Sequence, residues 1–163
     1  TGLSPDNPRT TINGISTWLD GSNVYGSSDE RALWLRSGSL GKLKTAEGNL
    51  LPFNTLAGQF TDPVDPNAPF MLLEGPPLQR HFIAGDVRAN EQPVLTALHT
   101  LFVREHNRIC ETLAQGHPEW NDEDLYQQAR RLVIGQIQAI TFYEWLPALG
   151  IDLGPYPGFG LRR

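Results

Sequence analysis

The sequence predicts a mainly α fold: two long antiparallel helices, one short helix, a small hairpin and long loops around one core. Three observations carry that expectation. Apolar residues recur at spacings of three and four through 91–115 and again through 122–146. A linker of a few residues joins those stretches, which makes them antiparallel neighbours. Nearly all of the sixteen glycines and thirteen prolines fall elsewhere in the 163 residues, where they favour loops over further helix.

Residues 1–14 are rich in Thr, Asn, Pro and Gly and read as extended loop. In 15–22 an extended backbone would turn alternate residues the same way, grouping Ser16, Trp18, Asp20 and Ser22. Oxygens from such positions suit a hard cation, Trp18 giving only its carbonyl. Polar loops ahead of ordinary helices carry the same residue types. Ser27-Ser28-Asp29-Glu30 fits a capping box with Ser27 as cap, and a short helix follows to Ser37, ended by Gly38. Residues 41–45 and 50–53 flank Glu47-Gly48-Asn49 and read as the hairpin. Residues 54–80 are proline-rich, without periodicity, and read as an irregular surface segment.

Asn90 is the expected cap of the first long helix, with Pro93 tolerated in its first turn. Leu95, Leu98, Phe102, His106, Ile109 and Leu113 form its stripe, and Gly116 and Pro118 end it. Asn121 or Asp122 caps the second, whose stripe is Leu125, Ala129, Leu132, Val133, Gln136, Ile140 and Tyr143. Beyond Pro147 the chain reads as a loose tail.

Composition narrows the function. A net charge of −5 and a pI near 5.3 argue against non-specific nucleic-acid binding. No apolar run approaches the roughly 20 residues of a membrane helix. The single cysteine, Cys110, makes no internal disulfide and reads as a small core residue.

The chemistry concentrates in Gly85-Asp86-Val87-Arg88-Ala89-Asn90-Glu91-Gln92. Arg88 and Glu91 lie one helical turn apart, so both can face one ligand. Arg88 is a permanent cationic fork, and Asp86 stands ready to orient it. The plain alternative is an ion pair of Arg88 with Asp86 or Glu91 at a helix start. His99 and His106 are two turns apart, about 10 Å along the axis, too far to share an ordinary metal centre. Both read as buried, hydrogen-bonded structural histidines, with Arg104, Glu105 and Arg108 as a salt-bridge network beside them.

Phe82 through Gln92, Leu98 through Arg108, His117-Pro118-Glu119-Trp120 through Gln127, and Trp18 through Ser27 together resemble the animal-type haem peroxidase superfamily. The resemblance implies a haem-peroxidase-type helical domain of which 1–163 is the central part. It implies haem b, covalently linked, and calcium as cofactors. Ser16, Trp18, Asp20 and Ser22 would be calcium ligands, Arg88 the catalytic arginine that assists O–O cleavage, and Glu91 the ester link to haem. Some members have a methionine bonded to haem where this chain has Gln92, and an amide forms no such bond. The family's distal and proximal histidines lie outside the matched blocks, so neither is expected within 1–163. No cysteine precedes the Gly-Asp-x-Arg motif, where mammalian secreted members have a disulfide loop; this points to a bacterial or divergent member.

The implied activity is reduction of hydrogen peroxide coupled to oxidation of a small electron donor: a halide, a pseudohalide or a phenol. The family setting implies an extracellular or secreted protein. Two alternatives stand beside it, a non-catalytic peroxidase-like module for adhesion or scaffolding and a cyclooxygenase-like fatty-acid dioxygenase. The His117–Gln127 similarity extends to the cyclooxygenase branch and keeps the latter open, while the Arg88/Glu91 pair favours the peroxidase.

Overall fold

The computed structural model describes residues 4–6, 8–9, 12–73, 79–155 and 158. Four helices organise it: α1 (Ser22–Tyr25), α2 (Asp29–Leu35), α3 (Pro93–Gly116) and α4 (Asp122–Ala139). Strands are absent among the described residues, and only isolated antiparallel bridges occur.

α3 begins two residues later than expected. Gln92, not Asn90, caps it, its side chain accepting from Val94 N–H. Pro93 takes the first position, where the missing N–H has no partner to lose. Asn90 instead donates from Nδ2 to the carbonyl of Phe82 at 2.8 Å. Arg88 and Glu91 therefore sit in a turn ahead of the helix, not on it. α4 starts as expected with a full capping box on Asn121 and Asp124. Its axis continues through a π-helical segment, Ile140–Trp145, into a last turn, Leu146–Ala148. Pro147 cannot donate to Tyr143, and Thr141 Oγ1 donates back to Ile137 O at 2.8 Å; both loosen the regular ladder.

The short helix is capped by Ser28, one residue after the expected Ser27, and ends at Leu35 rather than Ser37. The residue three past Ser28 is Arg31, so no reciprocal glutamate completes a box. The hairpin reduces to one bridge, Ala46 with Leu50, around a turn in which Gly48 and Asn49 both have positive φ. Its arms are recruited elsewhere. Leu43 exchanges two hydrogen bonds with the Asn107 side chain, at 2.8 and 3.0 Å, and Lys44 N–H donates to Leu35 O. Pro52 has no N–H to extend a ladder, and Phe53 bridges to Phe82. Within 54–80 Asn54, Thr55 and Met71 are buried, so this segment is irregular but not wholly superficial.

α3 and α4 pack antiparallel, Glu105 meeting Gln136 at one end and Cys110 meeting Tyr126 nearer the other. The core gathers Val24, Tyr25, Leu35, Leu51, Ile83, Val103, Ile109, Cys110, Tyr126, Ala129 and Val133. His106 and Ile109 of the first stripe and Leu125, Ala129 and Val133 of the second are buried as expected, but the rest of each stripe is half-buried or exposed. His99, Thr100 and Val103 are buried, whereas Leu98 is 48% exposed; Tyr126 is buried, whereas Leu132, Ile140 and Tyr143 are exposed.

Candidate active site

The segment 83–86 approaches the turn through the core, with Ile83, Ala84 and Asp86 all buried. Arg31, itself buried, donates from Nη1 to Ala84 O at 2.8 Å and reaches Phe70 O and Met71 Sδ. Asp86 then grips Arg88. Oδ1 accepts from the Arg88 N–H and from Nε, both at 2.9 Å, and Oδ2 accepts from Nη2 at 2.6 Å. The Arg88 hydrogen bond, outweighing burial, holds the Asp86 carboxyl below its usual range. The ion pair anticipated as the plain alternative is thus present, and Asp86 is the partner. It leaves the rest of the guanidinium free, since the Arg88 side chain is 53% exposed.

Glu91 N–H donates to Arg88 O at 2.9 Å, so the pair shares one tight turn. Glu91 is exposed and lines a cleft of about 910 Å³ with Phe53, Phe82, Gln92, Val94, Leu98, Leu101 and Arg104. Val94, Leu98 and Leu101 are 64%, 48% and 56% exposed along one side of α3. An apolar wall with a carboxylate at its rim fits the face and edge of a flat macrocycle such as haem.

The Ser16–Ser22 loop is bent rather than extended, so strand alternation does not group its residues. Hydrogen bonds do so instead. Ser16 Oγ donates to Asp20 Oδ2 at 2.8 Å, and Ser22 N–H donates to Asp20 Oδ1 at 2.9 Å. Burial raises the Asp20 pKa, but these bonds overcome it and the net shift is downward. Trp18 is 79% exposed, its N–H on Ser16 Oγ. The loop offers one carboxylate, two hydroxyls and a carbonyl, which fits part of the six to eight oxygens that calcium takes. No group of three or more His, Cys, Asp or Glu side chains arranged for a metal exists among the described residues.

His106 is fully buried. Its Nε2–H donates to Gly41 O at 2.9 Å, which leaves Nδ1 to accept the Tyr25 hydroxyl, also at 2.9 Å. Burial lowers its pKa to about 4. His99 donates from Nδ1 to Leu95 O at 2.8 Å, while its buried Nε2 has no partner, so it is only half satisfied. Glu105 takes both arms of Arg108, at 2.8 and 2.9 Å, but Arg104 leaves that network for the carbonyls of Gly48 and Asn49. Cys110 is buried and its thiol is pushed up to about 12, chiefly by burial. Sequence reasoning missed Tyr25, Gly41 and Arg31; their partners lie 39 to 81 residues away, beyond any local pattern.

Helices in this arrangement define a peroxidase-type helical fold. Peroxidase A from Dictyostelium discoideum superposes with a TM-score of 0.63 at 34% identity, covering 88% of this chain and 26% of that one. The Oryza sativa fatty acid alpha-dioxygenase gives 0.58 at 30% identity, covering 80% and 17%. The Drosophila melanogaster dual oxidase is 40% identical over 162 residues, which is 98% of this chain and 10% of the relative. Myeloperoxidase of Mus musculus is 40% identical over 155 residues, 90% and 20%. The animal haem peroxidase family description matches residues 1–153. The chain belongs to the animal haem peroxidase family. It spans only 10% to 26% of the length of these relatives.

Proposed function

We propose that the complete protein is a haem-dependent peroxidase that reduces hydrogen peroxide and oxidises a halide, pseudohalide or phenolic donor in an extracellular or secreted setting. Family membership, and Glu91 lining an open apolar cleft three residues after Arg88, support this reading; Arg88 itself is exposed but does not line the cleft. Haem would supply the redox chemistry. This chain would supply one wall of its pocket, through Leu98 and Leu101, and a carboxylate, Glu91, for an ester to the ring. Arg88, fixed by Asp86, would stabilise the negative charge that O–O heterolysis puts on the leaving oxygen. The acid–base histidine and the iron ligand would come from other parts of the complete protein. Ser16, Trp18, Asp20 and Ser22 would hold calcium, with further oxygens from outside this set. No described helix is long and apolar enough to cross a membrane.

Peptide mass mapping after peroxide treatment tests the Glu91 assignment. The peptide containing Glu91 should carry haem mass, and Glu91→Gln should abolish it; haem retained on that peptide in Glu91→Gln refutes the assignment. The likeness to the alpha-dioxygenase keeps one second reading, oxygenation of a fatty acid. Oxygen uptake with a long-chain fatty acid in place of peroxide and halide distinguishes the two.

A further inference from the structure

The turn that carries Arg88 rests directly on α1, and the contact is main chain against main chain. A Cβ at Gly85 would lie 2.4 Å from Ser22 O, 2.6 Å from Asn23 O and 2.6 Å from the carbonyl carbon of Val24. Gly85 does not need its glycine for a left-handed φ; it needs it for space, and the opposing atoms are backbone that cannot swing aside. α1 is fixed in turn to the cation loop, since Asp20 Oδ1 accepts from its first N–H at 2.9 Å. Arg31 holds the other side. It donates to Ala84 O at 2.8 Å, and its side chain packs so closely under Gly26 that a Cβ there would sit 2.9 Å from Arg31 Cγ. One residue beyond Gly85, Asp86 grips Arg88. Short stiff contacts therefore run without a break from the Asp20 carboxylate through α1 and Gly85 to the guanidinium.

We propose that Gly85 is a positioning residue for Arg88, keying the arginine turn to α1 so that a divalent cation in the Ser16–Ser22 loop fixes where Arg88 points. This rests on the calcium and arginine assignments above and adds the coupling between them. A cation bound at Asp20 favours the loop geometry that holds the α1 N-terminus. α1 cannot move toward the turn without displacing Gly85, because the backbones are already in contact. Coupling of this kind is reciprocal, so loosening the Gly85 contact also weakens cation binding.

Hydrogen exchange read by mass spectrometry on the complete protein, chelated and then titrated with calcium, tests this. Calcium should slow exchange about tenfold or more both in 16–25 and in 85–91, with little change in α4. In Gly85→Ala the loop peptide should still respond and 85–91 should respond several-fold less. Terbium luminescence sensitised by the exposed Trp18 should show weaker ion binding in that variant. Protection of 16–25 with none at 85–91 in the unmodified protein overturns the coupling and leaves the calcium reading standing. No response in either segment removes the calcium reading and the coupling with it. Exchange rising equally through α4 on chelation shows global unfolding and also overturns the specific route. The unmodified protein decides alone if Gly85→Ala does not fold.

Discussion

Asp86 holds Arg88 through both carboxylate oxygens, with Nε at 2.9 Å and Nη2 at 2.6 Å, from a position only two residues away. The carboxylate is buried and the guanidinium half exposed, so the anchor lies in the core and the far end of the guanidinium faces out. Arg88→Ala in the complete protein should slow the first reaction with peroxide by about 10²–10³-fold, as for loss of one oxyanion donor. Asp86→Asn keeps the shape but removes the charge that orients the fork, and should slow the same step by about tenfold. Stopped-flow absorbance gives both rates. A near-wild-type rate in Arg88→Ala would make the guanidinium purely structural.

Gly41 and Gly38 separate conformational from steric need. Both have positive φ, +71 and +73. A Cβ at Gly38 meets nothing within 4 Å, whereas one at Gly41 would lie 2.5 Å from Tyr126 N and 2.8 Å from Leu125 C. The Gly41 carbonyl is also the acceptor for His106. Gly38→Ala should cost about 1–2 kcal/mol, the left-handed penalty alone. Gly41→Ala should cost more than about 3 kcal/mol, because the linker-side end of α4 must move away. Thermal unfolding of the two variants side by side checks the order; equal losses would mean that the Gly41 contact relaxes freely.

The two long helices were legible because their signals are local: apolar spacing of three and four, Asn121 with Asp124 at one start, and Gly116 at one end. The direction each face points was legible only in part: His106, Ile109, Leu125, Ala129 and Val133 are inside as their spacing indicates, whereas Leu98, Leu132, Ile140 and Tyr143 are exposed. α3 has an apolar arc wider than one neighbour can cover, and spacing alone does not say which part meets the core. Leu98 was read as core and lines the cleft; His99 and Val103, one and five residues on, are inside. The hairpin failed for a related reason. Turn residues around Gly48 were recognisable, but the arms bond to Asn107 and Leu35, choices that only the tertiary structure makes. At the site, the pairing of Asp86 with Arg88 was readable from its motif, whereas the turn that holds Arg88 and Glu91 ahead of α3, the bent Ser16–Ser22 loop and the Arg31 brace were not.

The exposure of Leu98 yields its own test. Leu98→Gln places an amide on the cleft wall, where the side chain is already 48% exposed, so the fold should lose less than about 0.5 kcal/mol. Haem retention should fall, because an apolar face of the pocket becomes polar. Val103→Ala, at 4% exposure on the opposite arc, should do the reverse, lowering stability by about 1–2 kcal/mol while leaving haem content unchanged. Haem-to-protein absorbance ratios and thermal midpoints measured on both variants decide it. Loss of stability without loss of haem in Leu98→Gln would put that face against protein rather than cofactor.

His106 makes the core sensitive to mild acid. Burial first, and then the nearby Arg36, depress its pKa from 6.5 to about 4, with the Gly41 bond opposing. The unfolded chain therefore binds a proton at this residue before the folded one does. Stability is complete above the unfolded value near 6.5 and is lost as pH falls toward 4. The full loss is about 3 kcal/mol, since each pH unit between the two values removes about 1.4 kcal/mol. Carboxylates such as Glu105, held at about 2 chiefly by Arg108, withdraw their contribution only at lower pH, below their usual value of 4.5. The loss at His106 thus precedes that of Glu105 as pH falls. His106→Gln offers an amide that can still meet Tyr25 and Gly41 but does not titrate, so its stability should start lower at pH 7 and stay flat between pH 6.5 and 4.5. Denaturant midpoints at half-unit pH steps measure this, and an equal slope in the variant would assign the acid sensitivity to another group.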